Sequence, residues 1–151
     1  MKRFVIIAFA ILMTATMAWG QDDFKESAEK CFSVSILKSV KFKNGKGTIL
    51  FNASDAEYFT TGDKINKIFA IESARLFRDV DDLTVLEMTI PLKEGTRKMS
   101  IMREQIEVFY KVKFAPMKGD LNAWRMQFLK PYDNKQARAD FCKKFVTSPK
   151  K

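Results

Sequence analysis

The strongest local instruction in this chain is an Asn-Gly pair set between two short alternating runs. Val40-Lys41-Phe42-Lys43 alternates apolar and basic side chains, Asn44-Gly45 follows, and Thr48-Ile49-Leu50-Phe51 resumes the period of two. Asn-Gly suits the centre of a type I′ turn because both central positions need positive φ, and that turn matches the twist of a two-stranded ribbon. A two-residue turn fixes the register: Lys43 faces Lys46, Lys41 faces Thr48 and Val40 faces Ile49. Val40, Phe42, Ile49 and Phe51 then share one face, and Lys41, Lys43, Lys46 and Thr48 the other. A hairpin over residues 38–52 is therefore expected, with one apolar and one basic side.

The remaining pattern surrounds that hairpin with helices and a second pair of strands. Residues 22–32 carry acids in a first helical turn, where the helix dipole favours them. Ile65, Phe69, Leu76 and Val80 form one stripe of a helix over 63–80, with Asp63 or a preceding Thr as its cap. Leu86, Met88 and Ile90 alternate in a strand over 83–91. Pro91 and Glu94-Gly95-Thr96 then turn the chain into a partner strand over 97–102. Residues 102–110 fit a short helix that gives way to an extended segment. Asp120 caps a helix over 120–130 that Pro131 ends, and a last helix runs over 133–146, followed by a frayed basic tail. Fourteen Phe, most of them on these apolar faces, need a shared interior. The expected fold class is α+β, a largely antiparallel sheet packed against helices.

The N-terminus carries an address. Lys2 and Arg3 precede the apolar run Phe4 to Met13, and Ala18-Trp19-Gly20 places small residues before a cut at Gln21. That is the layout of a secretory signal peptide, and the run is short of the about 20 residues needed to cross a bilayer. Residues 1–20 are read as the signal and 21–151 as one domain, periplasmic or secreted, with no spanning segment after cleavage. Two cysteines, Cys31 and Cys142, are left in it. In an exported chain an even count predicts a disulfide, and a bridge closing so long a loop would stabilise by about 4–5 kcal/mol on the chain-entropy argument.

Composition excludes several chemistries. The chain has no histidine, which removes His-based triads and His-liganded zinc. Gly-rich phosphate loops and nucleophile elbows are absent as well, so no cofactor and no metal are called for. Asp79, Asp81 and Asp82 cluster without the spacing of a calcium loop. Thr60-Thr61-Gly62-Asp63 could offer free N–H groups to an anion, but Asp63 would repel it. Asn52-Ala53-Ser54 has the form of a glycosylation sequon. Glu72 is the one candidate catalytic residue, because it projects close to the apolar stripe of its helix, where a carboxylate partly withdrawn from water has a raised pKa.

Charge points to a binding surface instead. Removing Lys2 and Arg3 leaves 25 basic side chains against 18 acidic ones, a net charge of +7. Residues 30–54 carry five lysines and no acid. Lys41, Lys43 and Lys46 are the candidate binding residues, with an anionic envelope component or an acidic protein as partner. Nucleic acid is disfavoured, since the basic face has no interleaved aromatics for base stacking. The function expected is a non-enzymatic exported binding or accessory protein. The alternatives are a carrier enclosing a small apolar ligand between helices and sheet, and a small carboxylate-based hydrolase or lyase.

Overall fold

A computed structural model describes residues 20–52, 59 and 63–149. The expected signal peptide falls almost wholly outside the described residues, as do Thr60-Thr61-Gly62 and the last two positions of the sequon. The described residues form an α+β fold, with five helices on a five-stranded, mostly antiparallel sheet ordered β1-β2-β3-β4-β5. The strands are β1 (Leu37–Lys43), β2 (Lys46–Phe51), β3 (Val85–Leu92), β4 (Gly95–Met102) and β5 (Val146–Thr147).

The first hairpin forms in the register that its turn dictates. Asn44 and Gly45 adopt φ of 51° and 76°, and Lys43 pairs with Lys46, Lys41 with Thr48 and Val40 with Ile49. A bulge between Leu37 and Ser39 shifts the ladder by one residue near the start of β1. β3 and β4 form the second hairpin, from Leu92 opposite Gly95 to Val85 opposite Met102.

Between the hairpins, β2 and β3 run parallel. Parallel neighbours need a crossover of a dozen residues or more. Helix α2 (residues 64–79) supplies it, returning the chain to the end of the sheet at which β2 began. β5 adds a short edge to β4, with Val146 opposite Met99 and Thr147 opposite Lys98. Val146 thus leaves the last helix rather than closing it. Thr147, in the tail expected to fray, donates its hydroxyl to the Lys98 carbonyl at 3.2 Å.

Helix α1 (residues 20–31) lies against the first hairpin. Phe24 stacks on Phe42 with ring centroids 5.3 Å apart, and it covers Gly47 so closely that a β-carbon there would stand 2.4 Å from the ring. Gly47 is therefore a packing requirement: the strand must offer α1 a flat seat. Phe32 and Phe59 close over Phe51 edge-on, at 5.1 and 5.8 Å.

Helix α2 contains a π turn at Ile68–Glu72, flanked by α-helical Lys64–Lys67 and Ser73–Asp79. All five residues of the π turn are buried. A π turn leaves a carbonyl without its usual partner. Two side chains answer it: the Ser73 hydroxyl donates to the Phe69 carbonyl, and the Tyr110 hydroxyl donates to the Ala70 carbonyl at 3.0 Å.

Tyr110 closes helix α3 (Arg103–Tyr110), after which Lys111 turns left-handed at φ 54° and the chain extends, as the mixed pattern of 102–114 implied. Around Tyr110, Phe141 stacks, Tyr132 tilts and Phe128 stands edge-on, at 4.9–5.5 Å.

Helix α4 (residues 121–132) begins as expected, with Asp120 accepting from the Ala123 N–H at 2.9 Å. Pro131 does not end it. A second π turn, Trp124–Leu129, precedes the proline, and the helix runs on through Tyr132. The wider turn relieves the clash between the proline ring and the carbonyl one turn back.

Helix α5 (Lys135–Phe145) is capped by Asn134, which accepts from Ala137 at 3.0 Å. Arg138 ties it to both neighbours through Asp63 at 2.8 Å and Asp133 at 2.5 Å. Asp63 stands at the N-cap position of α2 but makes no cap hydrogen bond. It accepts instead from the Asn66 side chain, at 2.7 Å, and from Arg138.

Candidate functional site

Alternate residues of each strand point away from the helices, and pairing aligns them into rows across the sheet. One row holds Lys43, Lys46, Val85 and Met102; the next holds Lys41, Thr48, Glu87 and Ser100. A third runs Ser39, Leu50, Thr89, Lys98 and Thr147. None of these side chains is buried, whereas their inward neighbours Ile49, Leu86, Met88, Met99 and Ile101 are. The helices thus occupy one side of the sheet, and the other is open to water.

This open face gathers Lys41, Lys43 and Lys46, as the hairpin register demanded, and adds Lys98 from the far side of the sheet. Glu87 is the single acid in the three rows. Its carboxylate meets Lys46 at 2.8 Å, with both groups still 37–48% exposed. The contact is possible because β3 runs parallel beside β2 and sets Glu87 level with Thr48, the next outward-facing residue after Lys46. It relieves the repulsion between Lys43 and Lys46, which face each other directly. Lys41, Lys43 and Lys98 have no ion pair among the described residues and stay available to an outside anion. The hydroxyls of Thr48, Thr89 and Ser100 share the face with them, as do the apolar side chains of Leu50, Val85 and Met102. Lys98 was missed in the sequence because nothing in 97–102 says which strand lies next to the hairpin. Its outward direction was legible, since Met99 and Ile101 must both face the core.

Glu72 is 9% exposed and sits within the π turn of α2. Burial raises its pKa, while the nearby cations Arg75 and Lys67 work in the opposite direction. Arg75 approaches one carboxylate oxygen at 3.1 Å without the alignment of a hydrogen bond, and that oxygen has no other partner. Glu72 lines none of the described clefts. The burial expected of it is present; what surrounds it is an ion pair with its own helix.

The expected disulfide does not form: Cys31 and Cys142 are both free thiols. Cys31 lies near Glu72, Arg75 and Asp79, and Cys142 points its sulfur at the Asn66 carbonyl, 3.9 Å away. The two thiols therefore pack at opposite ends of α2. Nine residues of helix separate Asn66 from Arg75, about 13 Å at 1.5 Å per residue. A disulfide needs Cα atoms within about 7 Å. Burial pushes both thiols up to about 12, with Glu72 adding to the effect at Cys31.

Two members of the remaining acidic cluster are paired with cations. Asp79 is held by Arg78 at 2.6 Å and Asp81 by Lys118 at 2.6 Å, and no group of three or more acidic or thiol side chains among the described residues is placed to hold a metal ion. Asn52 uses its amide N–H to bond the Ser35 carbonyl at 2.9 Å. No described helix is long and apolar enough to cross a membrane. Comparison with known proteins gave no match to a family model, to a curated protein or to a solved structure.

Proposed function

We propose that this chain is an exported, non-enzymatic binding protein that docks the open face of its sheet on an anionic polymer of the cell envelope. The observation that carries the reading is the composition of that face. Lys41, Lys43 and Lys98 stand without ion pairs among the described residues; Lys41 shares its row with Thr48 and Ser100, and Lys98 shares its row with Thr89. Lysines suit dispersed phosphate or carboxylate charge, and hydroxyls suit the polyol or sugar parts between such charges. An extended chain is favoured over a lipid surface, because no large aromatic side chain projects from the three rows to anchor in a bilayer. Export rests on the layout of residues 1–20.

The Phe-rich interior supports binding at the surface rather than carriage of an apolar ligand. Tyr110 stacks on Phe141 and Trp124 on Phe128, and Tyr110 meets Phe128 edge-on, all at 4.3–5.5 Å.

Retention on immobilised long-chain polyphosphate, set against co-sedimentation with anionic vesicles, tests the reading. Lys41→Glu with Lys43→Glu is expected to weaken polyphosphate binding at least tenfold and to flatten its salt dependence. Glu87→Gln, which frees Lys46, is expected to tighten binding about twofold. Equal retention of all three proteins would sink the proposal, as would binding to vesicles alone.

A further inference from the structure

On the opposite side of the molecule, a cleft of about 390 Å³ opens where the end of α1, the second half of α2 and the start of α4 meet. Its charged lining is strongly biased: Lys30, Arg75, Arg78 and Arg125 against Asp79 alone. Its apolar lining comes from Leu121, Trp124 and Leu129. We propose that this cleft binds a small organic anion, with a phosphate or carboxylate head held by the arginines and an apolar body resting on Leu121 and Leu129 beside the rim of the buried Trp124.

Three features of the arrangement favour a ligand over a solvated surface. First, Arg78 is held in place. Asp79 accepts from its Nε at 2.6 Å and its Nη2 at 2.9 Å, the guanidinium lies 4.5 Å from the centre of the Trp124 ring, and the side chain is 11% exposed. A guanidinium fixed this way binds an oxyanion without first losing rotamer freedom.

Second, the positive charge of the cleft is only partly answered. Asp79 answers Arg78, and Arg75 shares its charge with Glu72, to which it makes no aligned hydrogen bond. Arg125 is exposed and forms no ion pair among the described residues. Lys30 pairs with Glu26 at 2.6 Å, but both are well exposed, so that pair contributes little and is readily exchanged.

Third, Leu121 is 71% exposed at the mouth of the cleft, beside buried Trp124. Apolar and cationic groups side by side in one concavity match a ligand with one face of each kind. Inorganic phosphate would use the cations alone, and a neutral aromatic only the apolar groups.

The test uses the full chain carrying Trp19→Phe. The sequence has two Trp, so Trp124 is then the only indole, and its emission reports the cleft. Phenyl phosphate, inorganic phosphate and phenol are titrated in turn. Phenyl phosphate is expected to give a saturable change at a concentration at least tenfold below that for either of the others. Arg125→Ala, at an exposed position that the fold does not need, is expected to weaken it at least fivefold, and Arg75→Ala at least as much. Lys41→Glu with Lys43→Glu is expected to change nothing here, so failure at this cleft and failure of the sheet face are told apart. A response linear in concentration, or equal affinities for all three compounds, would overturn the proposal. So would an Arg125→Ala protein that binds as well as its parent.

Discussion

Glu72 shows how little the identity of a residue says about its role until its neighbours are known. A carboxylate near an apolar stripe could be a reacting acid or a buried partner, and the sequence leaves both open. The structure buries it beside Arg75 of its own helix with Cys31 of α1 nearby, and burial outweighs the surrounding cations. Its pH dependence follows from that. A carboxylate whose folded pKa is raised is protonated in both states below the unfolded value of about 4.3, and ionising it costs nothing extra there. As pH rises from that value through the higher folded one, the unfolded chain releases its proton while the buried acid still holds its own, and stability falls. A glutamine amide at this position would remain neutral throughout. The stability of Glu72→Gln relative to the parent is thus expected to grow as pH rises from 4 to 8, read by urea melts at each pH. A difference that stays flat across that range would mean Glu72 is not buried as described. The lysines are the opposite case. Alternation and the register of the two-residue turn together placed Lys41, Lys43 and Lys46 on one side, because a period of two leaves a strand residue only two directions.

At the scale of elements, the hairpin was legible down to its register because Asn44-Gly45 and the apolar pattern demand the same pairing. The helices were legible as stripes, but their π turns were not. A stripe drawn at 100° per residue carries no mark of an inserted residue, and the Ile68–Glu72 turn is stabilised by groups distant in sequence. Tyr110, forty residues on, supplies the hydroxyl that satisfies Ala70. Tyr110→Phe removes that donor while keeping the ring, leaving a buried carbonyl without its partner. The expected loss is about 1–3 kcal/mol in chemical denaturation, with the ring packing retained. An unchanged midpoint would show that the π turn does not depend on Tyr110. Pro131 gives the same lesson: the residue that should stop α4 is accommodated because the preceding turn widens.

At the scale of the molecule, the decisive fact is how the two hairpins join. β2 and β3 are parallel because α2 carries the chain back across the sheet, and α2 then stands between the two cysteines as a rod with one thiol near each end. Cysteine count and the expected export argued for a bridge; the fold leaves both thiols free, Cys142 packed near Asn66 and Cys31 near Arg75. Intact mass under non-reducing conditions is expected to show two thiols. Alkylation at pH 8 is expected to be at least tenfold slower in the folded chain than in urea, since both thiols are pushed up to about 12. Loss of two hydrogens from the native mass would reverse this conclusion.

By itself the sequence determined what depends on near neighbours: the turn, the strand faces, the helical stripes, the α+β class and the absence of histidine chemistry. Those features follow from backbone sterics and from periodicities of two and 3.6, which operate over a few residues. The tertiary structure alone decided which strand lies beside which. It thereby brought Glu87 to Lys46, Lys98 onto the lysine face and Arg125 to Arg78, and it kept Cys31 from Cys142. These contacts span tens of residues of chain. They are settled by how the twelve Phe of the described residues and their neighbours fill one interior, a condition on the whole fold that no single segment contains.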